Sequence, residues 1–149
     1  MKLVKKIIVF TMCSTMLLSS VCTTFIHANN STDSAFTVPY SGDGSDFAIK
    51  ARSKTDNTYT YVRLDSGAKF QFAAQAKHGI NDGDYGDPFS CGYTTAWHTL
   101  GAGKRVYIPN RAHAKGFAAT YLSISSSDHK AHTYKGAWSP DNRSGFGEK

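Results

Sequence analysis

The sequence predicts an all-β fold, an antiparallel β-sandwich or jelly roll of about eight short strands following an N-terminal signal peptide. Three observations lead there. From residue 35 onward, apolar and polar residues alternate in short runs, the period of a half-buried strand. Those runs are rich in Tyr, Phe, Thr and Val, which suit a pleated surface. Clusters of Gly, Asp, Asn and Ser recur about every ten residues and supply turn chemistry. A closed barrel is the alternative architecture. No repeat of fixed period is present.

Residues 1–28 read as an export signal. Lys2, Lys5 and Lys6 give a basic start, Ile7 to Phe25 carries no charge, and Ala28 precedes the polar stretch Asn29-Asn30-Ser31-Thr32-Asp33. Cleavage is expected between Ala28 and Asn29. A retained anchor is the competing reading, since the uncharged run is long enough to span a bilayer. Seven Ser and Thr residues between Thr11 and Thr24 weigh against it. Residues 29–34 are expected to form a disordered tether, 35–141 a single β domain and 142–149 a tail. Three of the 17 Lys+Arg lie in the signal, which leaves 14 against 11 Asp+Glu. The whole-chain charge of +6 therefore overstates the basicity of the mature domain. With no basic cluster longer than Lys104-Arg105, nucleic acid is excluded as a partner class.

The strands follow in order. Phe36 and Val38 alternate within Ala35–Tyr40, and Ser41 to Ser45 turns the chain. Asp46–Ser53 sets Phe47, Ile49 and Ala51 against Lys50 and Arg52. After a turn at Lys54 to Asn57, Thr58–Asp65 sets Tyr59, Tyr61 and Arg63 against Thr60, Val62 and Leu64. Ala68–Lys77 alternates Phe70 and Phe72 with Lys69 and Gln71, although its alanines also suit a helix. His78–Pro88 is the longest loop. Phe89–His98 is expected to be the central strand, with Cys91, Tyr93, Thr95 and Trp97 on one face. Lys104–Pro109 points Val106 and Ile108 inward, and Gly116–Ser125 is apolar on both faces. Ala131–Trp138 is the last strand, with Pro140 ending it because proline has no N–H to donate.

Chemistry-bearing residues are sparse. Cys13 and Cys22 leave with the signal, so Cys91 has no intrachain disulfide partner and is expected to be buried. Cys91 and His98 sit on opposite faces about 23 Å apart along a strand, so they do not form a nucleophile–base pair with each other. His78, His113, His129 or His132 would have to reach Cys91 through the fold. Asn81-Asp82-Gly83-Asp84-Tyr85-Gly86-Asp87 has the oxygen-rich look of a calcium loop. It has Gly86 where a ligand belongs and no closing glutamate, so a surface turn is expected. His129 and His132 have no third ligand nearby, and Gly101-Ala102-Gly103-Lys104 lacks the Ser or Thr of a phosphate loop. No catalytic residue, metal or cofactor is predicted. Tyr59, Tyr61, Tyr93, Trp97, Tyr107, Tyr121, Tyr134 and Trp138 are the remaining signal, either as core or as a sugar- or protein-binding face.

Gly136, Trp138, Ser139, Pro140 and Asp141 form an ending that resembles a family of small secreted Gram-positive-type bacterial proteins of unknown function. There is a looser similarity to β-sandwich bacteriocins of the lactococcin 972 type. The resemblance implies a secreted β domain, extracellular or loosely associated with the cell envelope. The expected function is non-enzymatic binding of a cell-envelope component or a partner protein. A bacteriocin-like peptide acting on competitor cells and a cysteine-dependent hydrolase using Cys91 are the alternatives. Trp138 is expected to close the end of the core.

Overall fold

The computed structural model describes residues 31–126 and 128–142; the Ala28–Asn29 cleavage point and residues 143–149 lie outside the described residues. In chain order the strands are β1 Ser34–Tyr40, β2 Phe47–Ala48, β3 Arg52–Ser53, β4 Tyr59–Ser66, β5 Phe70–Ala76, β6 Tyr93–Thr94, β7 His98–Leu100, β8 Lys104–Ile108, β9 Ala119–Ser125 and β10 His132–Asn142. A single 3₁₀ turn, His113–Lys115, is the one helical element among the described residues. The first sheet has the order β1-β10-β4-β8. The second runs β2-β9-β5-β6, with β3 also on β9 and β7 also on β5. All pairs are antiparallel.

The two sheets close on one apolar core, as the alternation requires. Phe36, Val38, Val62, Leu64, Tyr134 and Trp138 come from the first sheet; Phe70, Phe72, Ala74, Leu122 and Ile124 come from the second. β5 resolves the helix-or-strand ambiguity of its alanines. It lies inside the second sheet with Ala73 and Ala74 both fully buried, so both faces are covered and small side chains fit. The loop after β5 helps cover the outer face. Gly86 lies against the ring of Tyr121, where any Cβ would clash, and the Tyr121 hydroxyl donates to the Asp87 carbonyl at 2.7 Å.

Three sequence expectations are corrected. Phe89–His98 is not the central strand: only Tyr93–Thr94 and His98–Leu100 pair, both with β5, and Trp97 is exposed. Its alternation is that of a loop tied at intervals, Gly92 and Thr95 bonding to β5 carbonyls. Asp46–Ser53 is split. Phe47 and Ala48 pair with Ile124 and Ser123, whereas Arg52 and Ser53 pair with Thr120 and Ala119, a slip of one residue that marks a bulge. β10 does not stop at Pro140 but continues to Asn142. Its register with β4 shifts between Ser139 and Asn142, and this irregularity accommodates the proline.

The shift has a second anchor. The carbonyl of Pro140 accepts from Lys54 Nζ at 2.9 Å and from the Thr60 hydroxyl at 3.1 Å. Lys54, 1 % exposed, also pairs with the fully buried carboxylate of Asp141 and donates to the Thr58 carbonyl at 2.8 Å. The other Asp141 oxygen accepts from the Thr55 amide and hydroxyl, each at 2.9 Å. Burial pushes the Lys54 ammonium below its ordinary pKa, and Asp141 opposes the fall. Gly136 belongs to the same ending for a steric reason: a Cβ there would collide with the Arg63 carbonyl and the Phe36 ring.

Trp138 and Asp141 are therefore both structural. Trp138→Ala is expected to cost ~3–5 kcal/mol. Asp141→Asn leaves Lys54 buried without its counter-charge and is expected to cost ~3–5 kcal/mol. Asp65→Asn, which breaks the exposed Arg63 pair, leaves the melting temperature unchanged. Thermal and urea melts of the three variants check this; a wild-type melt for either of the first two refutes it.

Candidate functional site

The bulge between β2 and β3 shapes a concavity. Where the strand leaves β9, the 81–85 loop takes over its bonding. Ala51 donates to the Asp84 carbonyl at 2.7 Å, Gly83 donates to the Ala51 carbonyl at 2.8 Å, and Lys50 bridges to Tyr85. β1 forms the facing edge of the other sheet. Between the two edges lies a groove of about 630 Å³ lined by β1 residues 34–37, residues 47–52, the loop and Trp138. Its floor, with Phe36, Ala48, Ile49 and Ala51, is apolar and buried.

The rim is polar and aromatic. Tyr85 is 75 % exposed and Phe47 38 % exposed, unusual for large apolar rings. The Lys50 ammonium stands 5.1 Å from the centre of the Tyr85 ring. Arg52 lies 5.8 Å over Trp138 and donates to the carbonyls of Thr32 at 2.6 Å and Trp138 at 3.1 Å. Burial lowers the Arg52 pKa from its ordinary value, and Asp82, Asp33 and Asp141 oppose that. Asp82 accepts from the Ser53 amide at 3.2 Å. This arrangement offers an apolar seat, cations at its lip and two ring faces for stacking.

The residues singled out from sequence fall elsewhere. Cys91 is exposed, against the expectation of burial, because the segment holding it is a surface loop and not a core strand. No hydrogen bond joins it to a histidine among the described residues; His78 instead stacks on Phe117 at 4.4 Å, and His98 opens β7. His132 Nε2 is 2.6 Å from Asp128, whose carboxyl is held down to about 2 by the Ser126 hydroxyl first and His132 next. The aspartates of the 78–88 loop are occupied with backbone amides: Asp84 accepts from Asn81 at 2.7 Å, Asp87 from Phe89 at 2.9 Å. Among the described residues no three His, Cys, Asp or Glu side chains stand together as a metal cluster. Of the aromatic set, Tyr61, Tyr121, Tyr134 and Trp138 are buried. The groove residues Lys50, Arg52 and Tyr85 carried no sequence signal for binding, since only the bulge and the loop bring them together.

A family described as "Protein of unknown function (DUF2712)" matches residues 22–142. The chain belongs to this family. Among solved structures, the chain is similar to the Yersinia pseudotuberculosis-derived mitogen, with a TM-score of 0.45 and 11 % identity over 80 % of this chain and 97 % of that one. It is also similar to a protein of Bacillus endospore appendages, disulfide-linked pili, with a TM-score of 0.37 and 13 % identity over 72 % and 83 % of the two chains. No curated protein matches. No helix among the described residues is long and apolar enough to cross a membrane.

Two measurements follow from these positions. Cys91 reacts with iodoacetamide in the folded protein nearly as fast as in the unfolded chain; strong protection that disappears in urea overturns its exposed placement. Tyr121 ionises only at about 12, chiefly because it is buried and also because Cys91 and Asp87 lie near. Its folded pKa lies above the ordinary value of 10. The resulting stabilisation is complete below that value and is lost as pH rises towards 12. Phenolate absorbance during alkaline titration should therefore show a late step that Tyr121→Phe removes.

Proposed function

We propose that the mature chain is a secreted, non-enzymatic binding domain that engages a cell-envelope component or a partner protein through the groove between β1 and the β2–β3 edge. The observation that carries this reading is the groove itself: an apolar floor with Tyr85, Phe47 and Lys50 displayed at its lip. Exposed aromatic rings around a concave apolar seat are the usual make-up of a recognition surface. The rim groups are not used to hold the core, whereas Trp138, Tyr121 and Tyr134 are. Export through cleavage between Ala28 and Asn29 delivers the domain outside the cell, where such a target is met.

Tyr85→Ala and Lys50→Gln separate binding from stability, because both side chains are exposed. Each is expected to leave the melt within about 0.5 kcal/mol of wild type. Co-sedimentation with purified cell wall and membrane fractions should fall for both variants. Wild-type protein that stays entirely in the supernatant and cross-links to no partner, or variants that bind as wild type does, would refute the reading.

A further inference from the structure

We propose that the Ser34–Thr37 half of β1 receives an extended, acidic and apolar peptide as an added strand, seated over the groove with a carboxylate at Lys50. The proposal rests on the groove being the binding site and names the class of ligand it takes. β1 is an edge strand. β10 pairs one side of it, and among the described residues no other strand pairs its second side. In an antiparallel ladder each residue turns its N–H and C=O to one side, and alternate residues face opposite sides. The β1–β10 ladder runs from Ser34 to Tyr40 without a register shift. Pro39 lacks an N–H, so within that ladder it occupies a position facing away from β10. By the same alternation Ala35 and Thr37 share its orientation and turn their N–H and C=O groups to the open side, where no strand pairs them among the described residues.

Two independent features then select the same short stretch. Pro39 removes the donor at the Tyr40 end, which blocks pairing there. The groove opens along the other end, against residues 34–37. An added strand alternates its side chains, so one set meets the apolar floor while the backbone bonds to Ala35 and Thr37. Lys50 supplies charge complementarity: among the described residues it has no carboxylate partner, only the ring of Tyr85.

The probe is a short blocked peptide of alternating valine and glutamate, titrated into the folded protein while backbone amide resonances are followed. Saturable binding is expected, with shifts at Ala35 and Thr37. Thr37→Pro should weaken it roughly tenfold through lost backbone bonds. N-methylating alternate amides of the peptide should produce the same loss with the protein untouched, which keeps the test valid even where the proline variant folds poorly. Replacing glutamate by lysine in the peptide, or Lys50→Gln in the protein, should also weaken binding. Three results overturn the proposal: no saturation, indifference to N-methylation, or concentration-dependent dimerisation of the wild type that Thr37→Pro abolishes, which makes a second copy the occupant. Envelope binding that is lost in Tyr85→Ala but unaffected by Thr37→Pro sinks the added strand while leaving the groove reading intact. Envelope binding unaffected by Tyr85→Ala and Lys50→Gln sinks the groove reading itself.

Discussion

The buried pair between Lys54 and Asp141 is the constraint on which the rest of the sandwich depends. Lys54 ends the β3 side of the second sheet, and Asp141 sits near the end of β10 in the first. A single ionic contact therefore ties the two sheets at one corner. A buried charge is tolerated only when its hydrogen-bonding capacity is filled. Here the ammonium meets the Asp141 carboxylate and the carbonyls of Pro140 and Thr58, while the second carboxylate oxygen meets Thr55. Thr60 and Asn110 extend the same network, Asn110 donating to the Thr60 hydroxyl at 2.9 Å. The arrangement fixes the register of β10 at its irregular end, where the proline removes one ladder bond.

That fixed corner has consequences one strand away. Trp138 packs in the core and carries Arg52 over its ring, so β3 is held beside β10. β2, by contrast, follows a register one residue out of step with β3 on β9. The chain must bend between them, and the backbone groups released by the bend are taken up by the Gly83–Asp84 loop. The groove is the space this bend leaves against β1. Its position is thus set by the core's closure at Trp138 and by a bulge, a device that commonly re-aims side chains near binding sites.

What the sequence made legible is what period and burial control. β5, β8 and β9 lie within the predicted runs and β1 and β4 overrun theirs by one residue each; at least one face of these strands must be covered, and the Phe36/Val38 and Val62/Leu64 alternations state which on β1 and β4. The failures share a physical cause. Around Cys91 and Trp97 the alternation is present but both the ring and the thiol remain exposed, so periodicity alone overstated a strand. Lys54 reads as a turn residue, and its pairing with Asp141 in β10 spans 87 positions and leaves no local trace. The groove was illegible for the same reason, since Lys50 and Tyr85 meet only through a bridge set by tertiary structure.

Trp138 shows why the Gly136–Asp141 ending is a poor guide to what the domain binds on the proposed reading. Trp138 is 2 % exposed and lies beneath Arg52, so its ring is committed to the core on one face and to a guanidinium on the other. Gly136 is there because the Arg63 carbonyl and the Phe36 ring come too close for a side chain. Pro140 and Asp141 are occupied by Lys54, Thr55 and Thr60. Gly136, Trp138, Pro140 and Asp141 are thereby explained by closure of the fold, with Trp138 also lining the groove beneath Arg52. On the proposed reading, specificity then comes from groups whose contacts with the rest of the chain are few, and at the groove these are the Tyr85 ring, Lys50 and the open edge of β1. On that reading such a surface can change its ligand by altering Lys50 or Tyr85 while the Lys54–Asp141 corner stays the same, because among the described residues no hydrogen bond joins either side chain to that corner.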